Sequence, residues 1–381
     1  MRDYISKDNK MIQKNRLRGW LTNWVIYVVS FIPRKATTHY DLVIVRTDAL
    51  GDYVIWHDSL SAYKKQFVGK RVLLICADLV CPLAEQEPFF SDVLSFSRGR
   101  FGHNLRYCIK IIWSIKKISA DNVLYPIWQR HPSGDAFVVS IKSPRKVGML
   151  SHSKRISTKF FDRHYTELVY FFSSESEIKA VEYFTQKAVL PNYKYGYNVF
   201  ELKPHHQELE QDYVVIAFSA STESKSWELE KYAQVIDAIP PRYKVVLTGA
   251  GQNDELKAER LVQFTSDKSR VFNLVNKTSV VDLVSLITHS ELVIGNDSAA
   301  VHIAAATRVK SICVLLGAHF GRFLPYPEDL PFKDYLPITI YSQMPCYGCN
   351  YNCIFENQTP YECIKNISAG AVIKEMMKIL E

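Results

Sequence analysis

Three features of this sequence predict an α/β protein built from two doubly wound halves. Short β-branched runs alternate with helical stretches from residue 41 onward, a polar, turn-rich stretch interrupts them, and the alternation then begins again. Such alternation builds parallel sheet covered by helices. The 381 residues, nearly half of them apolar, exceed one ordinary core and suit two.

The first half opens with the strand Asp41–Arg46 (DLVIVR) and a helix from Asp52 to Phe67. Arg71–Ala77 is the next strand, followed by a short helix near Leu83–Glu87 and the strand Asp92–Phe96. A helix from Asn104 to Ile118 and the strand Asn122–Pro126 complete the part that the pattern resolves. Leu190–Gln211 is aromatic and polar without a sustained period, and reads as the boundary. In the second half, strands fall on Tyr213–Phe218, Lys244–Thr248, Val271–Leu274, Leu292–Ile294 and Ser311–Leu316. Helices fall on Glu228–Ala238, Asp254–Phe264, Ser279–Thr288 and Ser298–Ala306, with a last one on Ala369–Leu380. The expected organisation is a basic segment (1–40), a first domain (41–195), a second domain that includes the cysteine cluster (205–365) and a terminal helix (366–381) that could return to the first domain. Two such domains facing one another would take a ligand at the carboxyl ends of their strands.

Charge is uneven. Residues 1–40 hold eight Lys and Arg against two Asp, whereas the whole chain carries only +8. The nearly neutral remainder argues against a broad nucleic-acid footprint. Within the basic segment, Trp20–Ile32 is an apolar run of 13 residues broken by Thr22, Asn23 and Ser30, short of the ~20 that span a bilayer. Phe31-Ile32-Pro33-Arg34-Lys35 offers no small-residue cleavage site. A helix lying in an anionic membrane surface is expected, with a helix packed on the domain as the alternative. This reading puts the protein in the cytoplasm, peripheral on the inner face of the cytoplasmic membrane. In that reducing compartment the eight cysteines are not a disulfide framework. Cys76, Cys81, Cys108 and Cys313 read as small buried apolar residues.

Three stretches carry chemistry. Between Leu42 and Lys65, a strand ending at Arg46 leads through a tight loop with Gly51 to Asp52 at a helix start. Such a carboxylate suits a general base, or else merely caps its helix. Between Phe218 and Ile239, a strand empties into a loop bearing Ser219, Ser221, Thr222 and Lys225, a diphosphate cradle or a solvated loop. Between Leu292 and Gly317, Asp297-Ser298 ends a strand and opens a helix rich in small residues, with His302 one turn in. The free amides of that helix favour an anion, while His302 is a ligand contact or a core histidine.

In this order, each after a buried strand, the three stretches resemble glycosyltransferase family 9, the group of the ADP-heptose lipopolysaccharide heptosyltransferases. The resemblance covers roughly residues 41–325. It implies a GT-B fold, two Rossmann-like domains facing a central cleft, with acceptor on the first and donor nucleotide on the second. On Arg46-Thr47-Asp48-Ala49-Leu50-Gly51-Asp52 it makes Asp52 the catalytic base and puts Arg46 and Asp48 on the acceptor side. It places the phosphate loop on Ser221 and Lys225, the donor-site helix on Asp297 and Ser298, and the ribose contact near Asn253 and Asp254. The loop after the last strand departs from the heptosyltransferase pattern. It reads Gly317-Ala318-His319-Phe320-Gly321-Arg322, resembles a branch associated with surface polysaccharides, and sets His319 and Arg322 for phosphate or leaving-group contacts.

Cys346-x2-Cys349-x3-Cys353-x9-Cys363 places four thiols within 18 residues. Four cysteines suit structural zinc, and after it an iron–sulfur cluster; free thiols or two disulfides are the alternatives. No Asp-x-Asp motif stands where a diphosphate-bound cation would be needed, so no catalytic cofactor is expected. The expected activity is inverting transfer from a nucleotide sugar to a lipopolysaccharide, O-antigen or capsule acceptor. Two rivals stay open: a sugar-nucleotide epimerase or hydrolase, and a non-catalytic nucleotide-binding subunit.

Overall fold

The computed structural model describes residues 24–150, 160–172, 176–196, 198–200, 211–220, 222–355 and 359–381. They contain two six-stranded sheets in which every pairing is parallel. Contacts divide the chain into two compact units. The first comprises Met1–Ala49, Ala62–Ser173 and Tyr183–Tyr193; the second comprises Leu50–Ser61, Ser174–Glu182 and Lys194–Glu381.

The strands of the first unit are β1 (Thr38–Arg46), β2 (Val72–Ala77), β3 (Asp92–Phe96), β4 (Ile118–Tyr125), β5 (Arg145–Met149) and β6 (Glu167–Val169), in the order β3-β2-β1-β4-β5-β6. Through this part of the chain run the helices α1 (residues 24–31), α2 (Leu50–His57), α3 (Leu60–Gln66), α4 (Cys81–Ala84), α5 (Leu105–Ile115), α6 (Pro132–Ser140) and α7 (Glu177–Ala188). The second unit has β7 (Tyr213–Ala217), β8 (Lys244–Leu247), β9 (Val271–Asn273), β10 (Leu292–Asn296), β11 (Ser311–Val314) and β12 (Ile338–Ile340), ordered β12-β11-β10-β7-β8-β9. Its helices are α8 (Leu229–Ala238), α9 (Gln252–Phe264), α10 (Val280–Thr288), α11 (Ala299–Ala306), α12 (Glu362–Lys365) and α13 (Ala369–Leu380). Each sheet therefore reverses strand order once, beside β1 and β4 in the first and beside β7 and β10 in the second. Ligands of doubly wound sheets bind at that reversal.

Strand identity follows burial on both faces. Leu42, Val43, Ile44 and Val45 are wholly inaccessible, as are Val214, Val215 and Ile216 in β7. The single helix expected from Asp52 to Phe67 is broken into α2 and α3. The break falls at Asp58, whose carboxylate is buried and accepts the Gly196 and Asn198 amides at 3.0 and 3.2 Å. Val372, Met376 and Leu380 of α13 lie in the core of the second unit, which is where the helix expected to return to the first unit is found.

Gly295 in β10 is a close-approach position, because a Cβ there would lie 2.7 Å from the Ala217 carbonyl oxygen and 3.0 Å from the Ala217 Cβ. Neither neighbour can swing away. Gly295→Ala is expected to lower stability by about 1–3 kcal/mol, read as a lower urea midpoint. An unchanged midpoint would show that β7 and β10 can separate there freely.

Candidate active site

In the second unit, α2 packs against α11, and glycine sets the distance. A Cβ at Gly51 would stand 3.0 Å from His302 Cδ2 and 3.6 Å from Ala299 Cα, so a side chain there would push the helices apart. Asp52 follows in the first turn of α2 and is half-buried. His302 is buried in α11, shares a 2.7 Å hydrogen bond between Nδ1 and the Tyr326 hydroxyl, and lies 3.9 Å from the Asp297 carboxylate. Burial pushes the imidazole below its usual range, against the opposing pull of Asp297 and Asp52. His302 is thus a partnered core histidine that carries two carboxylates beside it.

The far end of α2 is strapped to the same unit. The Tyr195 hydroxyl donates to the Ile55 carbonyl at 2.8 Å, Arg308 donates to the Gly196 carbonyl at 2.8 Å, and the Phe200 amide donates to Ala306 at 2.9 Å. These bonds explain why Leu50–Ser61 groups with the second unit while β1, directly before it, belongs to the first.

Ser298 is the N-cap residue of α11 in extended conformation, and its hydroxyl makes no capping bond. The buried Asn296 just before it ties two loops together. Its amide donates to the Phe218 carbonyl at 2.7 Å, and its Oδ1 accepts the Trp227 amide at 3.4 Å. Lys225 ends a short 3-10 turn, and its ammonium lies 4.5 Å over the Tyr351 ring. Tyr351 also meets His319 edge-on at 4.7 Å, and His319 Nε2 is 2.9 Å from Asn350 Oδ1. Burial pushes His319 down, with Arg322 and Lys225 adding to that push and Asn350 and Asp297 opposing it. Lys225, His319 and Tyr351 therefore form one cationic and aromatic corner in reach of Asp297.

Other expected residues are engaged elsewhere. The Ser219 hydroxyl donates to Asp254 at 2.6 Å, and the same carboxylate accepts the Ala250 amide at 3.1 Å. Asn253 donates to Glu223 at 2.7 Å, which also pairs with Lys257 at 2.8 Å. Thr222 is exposed and shares a 3.1 Å hydrogen bond with Ser224. Arg322 gives Nε and Nη2 to one Glu177 oxygen at 3.2 and 3.0 Å. Ser221 lies outside the described residues.

In the first unit, Arg46 is buried at the end of β1, donates to the Pro126 carbonyl at 2.6 Å and pairs with Asp48. Beside it opens a cavity of about 460 Å³ at the carboxyl ends of β1, β3 and β4. Phe96, Phe101 and Ile127 form its apolar wall, and Asp48, Arg98, Gln129 and His131 are among its polar groups. Sequence reading passed over Arg98, His103, Gln129 and His131, although their places just after β3 and β4 were the available signal.

All eight cysteines are free thiols. Cys346, Cys349, Cys353 and Cys363 line one small cavity with Tyr347 and Tyr351. Burial raises Cys363, and the neighbouring Cys346 and Cys349 add to the rise. Among the described residues no three His, Cys, Asp or Glu side chains are disposed to hold a metal ion. The four thiols share a cavity but stand open.

Two parallel sheets of this order, one carrying a cationic corner beside a helix start, define the GT-B class of glycosyltransferase fold. The chain belongs to glycosyltransferase family 9 (heptosyltransferase), whose profile matches residues 134–330, about half its length. A lipopolysaccharide heptosyltransferase 3 of Escherichia coli is 39% identical over 114 residues, 30% of this chain and 33% of that protein. A lipooligosaccharide heptosyltransferase 2 of Campylobacter jejuni is 24% identical over 157 residues, 41% of this chain and 47% of that protein. The matches thus span a third to a half of these relatives. Among solved structures, a family 9 glycosyltransferase from Veillonella parvula superposes with TM-score 0.67 at 14% identity, covering 90% of this chain and 97% of its own. An E. coli heptosyltransferase with ADP-2-deoxy-2-fluoro heptose gives 0.66 at 15%, covering 90% and 99%.

Proposed function

We propose that the protein transfers a heptose or related sugar from a nucleotide diphosphate to a lipopolysaccharide, O-antigen or capsule acceptor, with inversion and without a divalent cation. The reading is carried by Asp52, set at the start of α2 against the helix whose own start, with Lys225 and His319, makes an anion-favouring corner. The relatives' names favour heptose. The donor diphosphate would rest on the first amides of α11, and the Lys225 ammonium would offset the charge that grows on the leaving group. The acceptor would enter the cavity of the first unit, where Arg98 and the His103 and His131 imidazoles suit an anionic sugar. Asp52 takes the proton of the attacking hydroxyl. The new carbon–oxygen bond forms on one face of the anomeric carbon, and the bond to the β-phosphate oxygen breaks on the other. Its electron pair leaves with the nucleotide diphosphate. A single displacement inverts the centre.

Incubation with ADP-, GDP-, UDP- and dTDP-sugars and a lipopolysaccharide-type acceptor, with and without a chelator, tests this. Acceptor-dependent release of nucleotide diphosphate, unchanged by chelator, is expected. Donor consumed without acceptor points to an epimerase or hydrolase, and binding without turnover to a nucleotide-binding subunit; either overturns the proposal. A soluble donor and a membrane-borne acceptor would be used on the inner face of the cytoplasmic membrane.

The four-thiol cavity is proposed as a structural metal site, zinc ahead of iron–sulfur. It needs the thiols to draw inward, and four sulfurs in one cavity support it. A bound ion would hold the loop that presents Tyr351 to Lys225. Native protein is expected to carry about one equivalent of zinc, lost in Cys346→Ser/Cys349→Ser. Native protein free of both zinc and iron would overturn this.

A further inference from the structure

Helix α5 buries Cys108, Ile112 and Ile115 against the first unit. On its other side Leu105, Ile109 and Trp113, one turn apart, are 36–40% exposed and form an apolar stripe facing solvent. Arg106, Lys110 and Lys117 are exposed beside the stripe, and the helix itself carries no carboxylate. Helix α1 repeats the arrangement. It buries Ile26, Val29 and Ser30, while Trp24, Val28 and Phe31, with Ile32 just beyond, are 37–56% exposed. The two helices are fastened together. The Arg34 guanidinium stands 4.7 Å over the Trp113 ring and donates to the Trp113 carbonyl at 2.7 Å. Lys116, at the end of α5, donates to the Ser30 carbonyl at 2.7 Å.

Single exposed apolar side chains are ordinary. Two adjoining stripes of large apolar residues, both ending in Trp or Phe and bordered by cations, are not. We infer that the first unit docks on an anionic phospholipid surface through the joined faces of α1 and α5. Trp24, Phe31, Ile109 and Trp113 would sit at the boundary of headgroup and acyl chain, with Arg106, Lys110 and Lys117 at the phosphates. Charge argues against a second copy as the occupant, because it would bring the same cations to the interface. Six more Lys and Arg precede α1 in the sequence and add to the attraction.

The placement bears on the transferase reading, on which only its purpose rests. Phe101, Gly102 and His103 line the cavity of the first unit, and Asn104 caps α5, its side chain accepting the Tyr107 amide. The docking helix therefore begins at the cavity rim, where a lipid-borne acceptor would arrive.

Co-sedimentation of the full chain with phosphatidylcholine vesicles, with or without phosphatidylglycerol, tests the inference. Binding only with phosphatidylglycerol is expected, with Trp emission quenched by brominated lipid. Ile109→Glu/Trp113→Glu and Arg106→Glu/Lys110→Glu should each weaken binding roughly tenfold or more. Both variants should still turn over a delipidated soluble acceptor at the parent rate. Unaltered vesicle binding by both variants, or no binding by the parent, overturns the inference. So does a parent dimer that Ile109→Glu/Trp113→Glu splits in the absence of lipid. A parent that binds phosphatidylglycerol vesicles, with binding weakened in both variants, but shows no acceptor-dependent turnover would instead count against the transferase reading and leave the docking surface standing.

Discussion

Asp52→Asn is expected to lower kcat by about 10²- to 10⁴-fold while leaving donor affinity nearly unchanged. The substitution keeps shape and hydrogen-bonding reach and removes only the ability to take a proton. It should not disturb the fold, because α2 is held by other groups: the Gly51 approach to His302, the Asp58 carboxylate under the Gly196 and Asn198 amides, and the Tyr195 bond to Ile55. Donor affinity should persist because Lys225, His319 and Tyr351 lie on other segments. If Asp52 served only the helix, its charge in the first turn would contribute under about 1 kcal/mol to stability and nothing to turnover. Single-turnover rates and donor binding on the same preparation separate the cases. Turnover within tenfold of the parent would remove Asp52 from the base role.

The second unit was legible because its strands are short runs buried on both faces, and its strands β7, β8, β10 and β11 fall where the β-branched runs stand. Three strands at or next to a sheet edge were not. β5 (RKVGM), β6 (ELV) and β12 (ITI) are short or half-polar, and their pairing comes from neighbours rather than from their own pattern. The same division runs through the site. Asp52, Asp297 and Ser298 follow buried strands, so their places could be read from the pattern, while their roles came only from the resemblance. Tyr351 stands 126 residues beyond Lys225 in an irregular loop, with φ of 65° at Tyr351 itself, and no period links the two. Arg322 was read as a phosphate ligand from its place in the loop, and nothing local announced that Glu177 would engage it.

Arg130→Met is expected to cost about 3–5 kcal/mol of stability, because it leaves a buried carboxylate without its counter-charge. Arg130 is buried, pairs through Nε with Asp135 at 3.0 Å and also with Asp162, donates to the Met149 carbonyl at 2.9 Å and lies 4.5 Å from the Tyr165 ring centre. Tyr165 closes the network by donating to Asp135 at 2.6 Å. Gln129 and His131, on either side of Arg130, line the cavity of the first unit, so the network also fixes that wall. The pH dependence is diagnostic. Burial pushes Asp135 up to about 6 even though Arg130 opposes it. Its folded value thus exceeds the unfolded one, so the folded state binds the extra proton, and stability from this group falls as pH rises through about 6. Removing Arg130 raises the folded value further, so the variant's deficit should be largest at alkaline pH, shrink as pH falls toward about 6, and level off below it, where both proteins carry the proton. Asp135→Asn in the Arg130→Met background should recover part of the loss and flatten that dependence. A deficit independent of pH, or one that deepens on acidification, would mean the Arg130–Asp135 pair is not what holds this wall.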